Sequence, residues 1–573
     1  MCGYYLTYHS LPNAKNVPSD TNSECTQITL DGWMIHRHTL PKFPNHKFFL
    51  DESSFFFSTD GVILNRDELL NQYHCSDFAA LISNLYHQYG ETFFRYFRGS
   101  FSGVFYDKEK QLMLIFVDHA GTRLLFWEQE KETIRISSDL GWLVGQTRTQ
   151  RDSLGLYELL TYGYMPSHHT IAEGIHRLPA GNCLRITSSS CEQIQYHRFS
   201  NDSIHRTQKE EIQGVDKLFR QAVQRVLKVN AEYGYRNIFP LSAGLDSRMA
   251  TWVAHSQTTT PIENFTHGFD SDQDVIVAHS IADSLSHKWY FHSQESADFY
   301  ANIDQSVCHS GAQICYAGIA EATDISRSIP SDEVGMILTG IGGDDILTSP
   351  LSRSWKHYHY GECALSTISY PEQKAFIPKD FASRYATRNI FYLYARTFEC
   401  HAMGSPLAFQ QFTESYSPFM DIDFLEFVFS IPENHRKNYR LYDQWILECF
   451  PEAAQWKHNG KTIGNRAPEL YIFHRHLPFR TITKRLVAFI LRKLHICELT
   501  NAELRNAYAP NAESIWQHYF DTNKHYLRHY GQIAERVEKQ FRSENYQEKV
   551  QALTVLAAIK MIEEAHLDGH PRS

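Results

Sequence analysis

Residues 241–248 read Leu-Ser-Ala-Gly-Leu-Asp-Ser-Arg, and this stretch decides the fold. It follows the short apolar run Asn237–Leu241 and leads into a helix-like segment at Met249. Small residues let backbone N–H groups close around an anion, and the start of a helix adds further donors and a favourable dipole. Two hydroxyls can donate to phosphate oxygens, and a carboxylate can hold Mg²⁺. The stretch therefore predicts a cradle for phosphate or pyrophosphate.

A second loop of similar character follows another apolar run. Gly335–Leu338 leads into residues 339–345, which read Thr-Gly-Ile-Gly-Gly-Asp-Asp. Adjacent carboxylates after a glycine loop suit Mg²⁺ held against a triphosphate, although glycine and aspartate are also common in surface turns. From about Glu210, helical stretches alternate with such apolar runs, which predicts an α/β unit with a parallel sheet. Two loops at strand ends in one such unit favour a nucleotide site.

Length and composition limit the possible classes of protein. The chain has 573 residues, and roughly 150 residues per domain gives three or four domains as a first expectation. It is 42% hydrophobic and 21% charged with a formal charge of −10, which is typical of a globular protein and argues against a nucleic-acid binder. Eleven cysteines do not make a disulfide framework. The first residues resemble no signal peptide, so we expect a cytoplasmic protein.

The first two hundred residues read as short strands separated by turns. Strand-like runs include Ser53–Ser58, Leu112–Val117 and Thr133–Ile136, and the pair Asp60-Gly61 is a turn signal. A helix is predicted over residues 77–87, and the polar residues 200–209 are predicted to be a linker.

Residues 471–497 carry six Lys or Arg and no Asp or Glu. The apolar stretch Leu486–Leu491 is far shorter than the ~20 residues that a membrane span needs. We expect an amphipathic helix that packs on the domain with a solvated basic face, and contact with an anionic surface is the alternative.

Taken together, the chain resembles glutamine-dependent asparagine synthetases over about its first 465 residues. Residues 242–247 resemble the pyrophosphate loop of N-type ATP pyrophosphatases, usually Ser-Gly-Gly-x-Asp-Ser. The order and spacing of many short motifs carry the likeness. These motifs are Met1-Cys2-Gly3, Asp60-Gly61 with Asn65, Gly99–Asp107, Asp118–Gly121, Leu178–Gly181, Gly340–Asp345, Glu414 and Ser417–Asp421.

The resemblance implies an α/β chain in three parts. Residues 2–199 would form a glutamine amidotransferase domain with an Ntn-type αββα sandwich. Residues 210–465 would form a parallel-sheet ATP pyrophosphatase domain (adenine nucleotide alpha hydrolase-like), and residues 466–573 a helical extension. Glutamine would be hydrolysed in the first domain, ATP would adenylate a carboxylate in the second, and ammonia would pass between them through an internal tunnel.

For the glutaminase reaction, the resemblance implies Cys2 as nucleophile. Removal of Met1 would free an α-amine with an ordinary pKa near 7.7–8.0, and this amine could act as the base for the thiol. Arg37 would bind the glutamine carboxylate and Asp77 the glutamine amine. Asp60 and Gly61 stand where the family carries the Asn-Gly pair of the oxyanion hole.

Position 60 departs from the family pattern. An ionised aspartate only accepts hydrogen bonds and would repel a developing oxyanion. Three alternatives follow: slow glutamine hydrolysis, a protonated Asp60, or another donor that acts with Gly61.

In the synthetase half, the resemblance implies that ATP and Mg²⁺ are bound, with Mg²⁺ on Asp246 and Asp344. Lys461 lies near the position of a lysine that stabilises the adenylate. Ile341 replaces a glutamate near the reacting centre, and Tyr416 replaces an arginine, so the acceptor site is expected to differ from an aspartate site. The residues matched to ATP and pyrophosphate binding are Leu241, Ser242, Ala243, Gly244, Asp246, Ser247, Gly268, Thr339 and Gly340.

Three functions remain open at this point. The first is an ATP-consuming, glutamine-dependent ligase that amidates a carboxylate other than free aspartate, such as a uronic acid of a surface glycan. The second is an adenylating cyclase of the β-lactam synthetase or lasso-peptide cyclase type, with a weak or inactive glutaminase domain. The third is a scaffold that docks through the basic segment 471–497. The expected partners are glutamine, ATP and a carboxylate, with no nucleic acid and no transmembrane segment, and a homodimer is left open.

Overall fold

A computed structural model of the protein shows the arrangement of both halves. It describes residues 2–8, 23–147, 150–166, 169–200, 202–348, 393–394, 397–398, 402–457, 462–463, 469–472, 475–478 and 501–567.

Two antiparallel sheets stack in the N-terminal half. The first sheet has the order β10-β8-β9-β1-β3-β2 and the second the order β12-β11-β7-β6-β5-β4. The strands of the first sheet are β1 (Gly3–Tyr8), β2 (Glu24–Leu30), β3 (Trp33–Thr39), β8 (Phe126–Glu130), β9 (Thr133–Ser137) and β10 (His176–Arg177). Those of the second are β4 (Phe49–Asp51), β5 (Phe55–Ile63), β6 (Gly99–Asp107), β7 (Leu112–Val117), β11 (Asn182–Ile186) and β12 (Cys191–Gln195).

Helices cover the outer face of each sheet. In this half they are α1 (Arg66–Gln72), α2 (Phe78–Tyr89), α3 (Leu140–Gln146) and α4 (Ser153–Tyr162). Apolar side chains of α2 pack on the second sheet, whereas those of α3 and α4 pack on the first. All six residues of β7 are buried, as expected for a strand covered on both faces. The order helix, sheet, sheet, helix confirms the expected αββα sandwich.

The pair Asp60-Gly61 was expected to form a turn, and that expectation is wrong. Both residues lie within β5, where Gly61 pairs with Phe101 of β6. Gly61 has a φ of +86°, and an added Cβ would lie 2.2 Å from the carbonyl oxygen of Ser100. Only glycine allows this conformation at so close an approach, so here the glycine marks a distortion inside a strand.

The second half contains a parallel sheet. Strands β13 (Asn237–Pro240), β14 (Ile262–Gly268) and β15 (Lys288–Ser293) are parallel neighbours, and β16 (Ile337–Leu338) pairs in parallel with β17 (Ser415–Tyr416). A parallel bridge between Arg236 and Val334 sets the β16 segment beside β13. Its helices are α5 (Gln208–Tyr233), α6 (Leu245–His255), α7 (Gln273–Ser284), α8 (Ile303–Ser310), α9 (Tyr316–Ile325), α10 (Gly343–Leu347), α11 (Ala402–Phe409), α12 (Ile422–Phe429), α13 (Glu433–Arg436) and α14 (Arg440–Cys449).

Helix α5 begins at Gln208, inside the linker that was predicted over residues 200–209. Thr207 caps this helix: its side chain accepts from the Glu210 N–H, and the Glu210 carboxylate accepts from the Thr207 N–H. The loops that follow β13 and β16 both lie at the carboxyl edge of the parallel sheet, as their sequences predicted.

The C-terminal region is mostly helical, but it begins with a hairpin. Strands β18 (Glu469–Ile472) and β19 (Arg475–Pro478) pair in antiparallel fashion, so the expected amphipathic helix over residues 471–497 is wrong in its first part. The rest of that segment, residues 479–497, lies outside the described residues. The helices that follow are α15 (Asn501–Asn523), α16 (Gly531–Phe541) and α17 (Tyr546–Leu567).

Helix α17 is buried along most of its length. Its apolar residues share one core with α3 and α4 of the first half and with α8 and α9 of the second. Within the described part of the chain, no helix combines the length and apolarity that crossing a bilayer requires.

Candidate active sites

A cavity of about 440 Å³ opens at the carboxyl edge of the parallel sheet. Most residues matched to ATP and pyrophosphate binding line it: Leu241, Ser242, Gly244, Asp246, Ser247, Gly268, Thr339 and Gly340, together with Asp344. Ala243 is the exception in this set, and it turns its carbonyl oxygen to a neighbouring arginine. Lys461, the residue matched to adenylate stabilisation, lies outside the described residues.

Hydroxyl groups organise the loop after β13. The Ser242 and Ser247 hydroxyls lie 2.8 Å apart, and the backbone N–H of Gly244 donates to the Ser242 hydroxyl at 3.1 Å. Helix α6 begins immediately afterwards, at Leu245, with its free N–H groups at this end. Ala243 does not have a positive φ, so alanine fits where the family usually has glycine. The loop thus keeps the donors that an anion needs.

The second loop packs directly on the first. An added Cβ on Gly340 would lie 2.4 Å from the backbone of residues 246 and 247, and one on Gly343 would lie 2.5 Å from the Asp246 carboxyl group. The backbone N–H of Asp344 donates to Asp246 at 2.9 Å. The two glycines therefore allow the two loops to meet.

Two neighbouring carboxylates create an electrostatic demand for a cation. Burial, and then the charge of Asp344, raises the pKa of Asp246 well above its ordinary value. Tyr442 donates its hydroxyl to Asp246 at 2.9 Å, and Tyr439 donates to Asp344 at 2.9 Å. Mg²⁺ is usually held by one or two carboxylates together with substrate phosphates, so this pair fits Mg²⁺.

Arg248 fixes the same loop from behind. Its side chain is fully buried and donates to the carbonyl oxygens of Ala453 and Trp456, at 3.0 and 3.1 Å, and to that of Ala243. Burial lowers its pKa to about 10. The roles of Arg248, Tyr439 and Tyr442 could not be predicted from the sequence. Apart from Ala243, which is close to Arg248 in sequence, their partners lie about 100 to 200 residues away along the chain.

A second cavity, of about 270 Å³, contains Cys2. Its wall combines residues of both halves of the chain. Besides Cys2, they are Leu40, Asp60, Arg123, Leu124, Ser138, Gln305, His309, Leu407, Gln410 and Gln411.

Asp60 is not an isolated charge. It is 2% exposed, its Oδ2 accepts from Nη1 of Arg123 at 3.0 Å, and its Oδ1 accepts from the Thr39 hydroxyl at 3.2 Å. The repulsion expected between Asp60 and a developing oxyanion is therefore offset by the positive charge of Arg123, which contacts the Asp60 carboxylate directly.

The same arginine reaches into the second half of the chain. Its other terminal nitrogen pairs with Glu414, which also accepts from Lys47 at 2.8 Å. All four side chains of this cluster (Asp60, Arg123, Glu414 and Lys47) are at least 93% buried. Although burial raises it, the charges of Arg123 and Lys47 hold the pKa of Glu414 below its ordinary value.

The Cys2 thiol is held in its neutral form. Burial, followed by the charge of Asp60, raises its pKa to about 12, and the cations Lys47 and Arg123 only partly counter this. A thiol in this state is a poor nucleophile unless a base removes its proton during attack.

Of the four residues matched to glutamine binding, Asp60 lines this cavity, whereas Arg37, Gly61 and Asp77 do not. Arg37 is buried in β3 and donates to the carbonyl oxygens of Phe48 and Thr59 at 2.7 and 3.1 Å. Asp77 caps α2 by accepting from the Ala80 N–H at 2.9 Å, which holds its pKa below the ordinary value. The structure thus brings together Cys2 and Asp60 but neither Arg37 nor Asp77.

A small cavity of about 30 Å³ lies between the halves. Gly99 and Thr122 line it from the first half, and Met420 from the second. Thr339 and Ile341 line both this cavity and the large one. Such a volume holds about one water molecule.

Family models match both halves of the chain. Residues 51–197 match a glutamine amidotransferase domain, and residues 214–389 match asparagine synthase.

Two curated relatives are distant. Amidase chyE of Penicillium rubens is 22% identical over 316 residues, which are 49% of this chain and 44% of the relative. Asparagine synthetase [glutamine-hydrolyzing] 2 of Bacillus subtilis is 24% identical over 305 residues, which are 49% of this chain and 40% of the relative. The chain thus spans less than half the length of either relative.

Solved structures give weak likenesses. The glutamine phosphoribosylpyrophosphate amidotransferase of B. subtilis with ADP and GMP aligns at 10% identity and a TM-score of 0.21, over 45% of this chain and 51% of the other. An allosteric regulatory enzyme of purine biosynthesis aligns at 9% identity and a TM-score of 0.25, over 51% and 80%. Likenesses of this size support no conclusion about the chain.

Proposed function

We propose, on the premise that this chain is a divergent member of the asparagine synthetase family, that it is a glutamine-dependent ligase that forms an amide from a carboxylate at the expense of ATP. The observation that carries the proposal is the meeting of two loops at the edge of the parallel sheet, where the backbone N–H of Asp344 donates to the Asp246 carboxylate at 2.9 Å. A loop of hydroxyl and N–H donors next to two carboxylates suits a nucleoside triphosphate.

In the synthetase half, the acceptor carboxylate attacks the α-phosphorus of ATP, and pyrophosphate leaves. The hydroxyls of Ser242 and Ser247 and the N–H groups at the start of α6 bind the leaving pyrophosphate. Asp246 and Asp344 would hold Mg²⁺, which when bound supplies positive charge against the phosphates. Arg248 keeps the loop in place through its hydrogen bonds to the backbone.

In the glutaminase half, the Cys2 sulfur adds to the amide carbon of glutamine. Because the pKa of the thiol is about 12, its proton must be removed as the bond forms, and the α-amine freed by loss of Met1 is the proposed base. Ammonia then leaves with that proton, and water hydrolyses the thioester to glutamate.

We propose that ammonia reaches the adenylate past the small cavity, which adjoins the large cavity; no described residue that lines the small cavity also lines the Cys2 cavity. The cavity of about 30 Å³ shares Thr339 and Ile341 with the large cavity, and Pro406 and Met420 contribute apolar surface to its wall. Arg98, Asp118 and His119 line the small cavity as well, so its wall is mixed in character. Ile341 also stands where an aspartate-specific enzyme has a glutamate, which supports a different carboxylate as acceptor.

A second candidate is an adenylating cyclase that uses an amine of its own substrate. The raised pKa of Cys2 and the Asp60–Arg123 pair favour it, because both depart from an ordinary glutaminase site. This reading retains the ATP chemistry and makes Cys2 dispensable.

The test measures glutamate release from glutamine and pyrophosphate release from ATP with a panel of carboxylates that includes aspartate and uronic acids. Cys2→Ala is expected to abolish glutamate release, whereas Cys25→Ala, which removes an exposed thiol, retains it. Asp246→Asn should lower pyrophosphate release by at least about 10² but spare glutamate release. Full amide formation without glutamine, and no glutamate from wild type, would favour the cyclase.

A further inference from the structure

The wall of the Cys2 cavity contains a buried donor that has no hydrogen-bond partner among the described residues. Arg123 is 5% exposed, and its two terminal nitrogens pair with Asp60 and Glu414. Its third nitrogen, Nε, is buried and has no hydrogen-bond partner. Leaving a buried N–H without a partner is costly. The Nε atoms of Arg37 and Arg248 share this state, so what distinguishes Arg123 is its place in the wall of the Cys2 cavity.

This donor lies beside the position of the expected oxyanion hole. Arg123 lines the cavity together with Cys2 and Asp60. An added Cβ on Gly61 would lie 3.0 Å from Nε of Arg123, so the free N–H is next to Gly61. Burial lowers the pKa of Arg123, but the charges of Glu414 and Asp60 outweigh this effect and raise that pKa above its ordinary value.

The surrounding charges hold the guanidinium in place. Nη1 of the guanidinium donates to Oδ2 of Asp60 at 3.0 Å, and Nη2 donates to Glu414. Lys47 balances Glu414 at 2.8 Å, so the cluster contains two cations and two anions. A donor fixed in this way needs no reorganisation when negative charge develops nearby, which is the condition for strong oxyanion stabilisation.

We propose that Arg123 is the oxyanion-stabilising residue of the glutaminase site and that its Nε–H replaces the asparagine amide that the family carries at position 60. Asp60 and Glu414 are then positioning residues that orient the guanidinium. This inference rests on the proposed glutaminase function.

The step balances within the cavity. The sulfur of Cys2 forms a bond to the amide carbon, the carbonyl π pair moves to oxygen, and the thiol proton passes to the α-amine of Cys2. Arg123 donates a hydrogen bond to the resulting oxyanion without losing its proton. When the oxyanion collapses, the C–N bond breaks, and the α-amine returns the proton to the leaving ammonia.

The test compares three proteins: the wild type, the single variant Arg123→Met, and the double variant that combines Arg123→Met with Asp60→Asn. Loss of one oxyanion donor typically costs about 10²–10³ in rate, so Arg123→Met should lower kcat for glutamate release by about that factor with little change in KM. The double variant offers an asparagine amide and no uncompensated aspartate, and it should recover at least about tenfold over the single variant.

Two Cys2 probes distinguish the role of a donor from that of a structural ion pair. The γ-aldehyde analogue of glutamine forms a thiohemiacetal and needs the oxyanion site, whereas iodoacetamide alkylates sulfur without forming an oxyanion. Arg123→Met should weaken binding of the aldehyde in proportion to kcat. It should slow alkylation only by the amount that the higher thiol pKa explains, because the charge of Arg123 lowers that pKa, so the wild type and the variant are compared over a full pH profile of alkylation. Arg135→Met is the matched control, because Arg135 also forms a largely buried pair, with Glu128 at 2.5 Å, outside this cavity.

The outcomes separate the inference from the function it rests on. The inference alone is overturned if the wild type is active and any of three results is seen: Arg123→Met keeps its kcat, Arg123→Met changes only KM, or adding Asp60→Asn does not improve Arg123→Met. If Arg123→Met unfolds, the double variant is used instead. It can bind the aldehyde with full affinity only if the new asparagine amide at position 60 takes over the hydrogen bond that the Nε–H of Arg123 donates, so weak binding by the folded double variant contradicts the inference. A wild type that neither releases glutamate nor binds the aldehyde overturns both.

Discussion

Replacing Gly343 with alanine is expected to damage pyrophosphate release and to spare glutamate release. The new Cβ would lie 2.5 Å from the Asp246 carboxyl carbon, where ordinary contact begins at 3.4 Å, so one group must shift by about 1 Å. Asp246 cannot move without weakening its hydrogen bonds from the Asp344 N–H and the Tyr442 hydroxyl. Each bond to a charged group contributes about 1.5–3 kcal/mol, and a misplacement of about 1 Å can cost roughly 10² in rate.

The assay follows pyrophosphate and glutamate in the same reaction mixture, so the Cys2 site reports on folding. Gly318→Ala in α9 is the matched control, because an added Cβ there meets nothing within 4 Å. Alanine within a helix is better by about 0.5–1 kcal/mol, so this variant should be as stable as wild type or more so, with both activities intact. Wild-type pyrophosphate release by Gly343→Ala would refute the view that the contact between the two loops builds the site.

Three further outcomes are expected. In Asp246→Asn, pyrophosphate release should fall by at least about 10² and lose its dependence on Mg²⁺ concentration; an unchanged Mg²⁺ titration would assign the ion elsewhere. Arg248→Met leaves the carbonyl oxygens of Ala453 and Trp456 without their donor, so urea unfolding should report a loss of about 1–3 kcal/mol, and an unchanged midpoint would contradict this. Because the pKa of Cys2 in the folded protein is raised to about 12, its thiolate forms only as the pH rises toward that value. Its alkylation by iodoacetamide should therefore still increase about tenfold per pH unit between pH 8 and 10, where an ordinary thiol with a pKa near 8.5 levels off. A plateau below pH 9 would argue against the buried neutral thiol.

The parts of the fold that sequence predicted are those with a local cause. The run Leu112–Val117 is a strand because six apolar residues in succession suit a strand covered on both faces. The helix near residues 77–87 follows from a capping aspartate and apolar residues at helical spacing. The two nucleotide loops were found because small residues after short apolar runs place donors at the edge of a parallel sheet.

The parts that sequence did not predict depend on distant partners. Glu414 meets Arg123 across 291 residues, and nothing near either residue indicates the pairing. The pair Asp60-Gly61 has the composition of a turn, but pairing with β6 keeps it inside a strand. The start of the basic segment forms a hairpin, since a short apolar and basic stretch suits either structure until its neighbours decide.

Helix α17 has a consequence for how the protein is made. It fills the core that α3, α4, α8 and α9 share, yet it is synthesised after all of them. Until residues 546–567 leave the ribosome, the outer face of the first sheet and the helices beside it must expose apolar surface such as Leu156, Leu160 and Ile319. Nascent chains in that state are prone to aggregation, so the final assembly of both halves must wait until translation of this helix is complete.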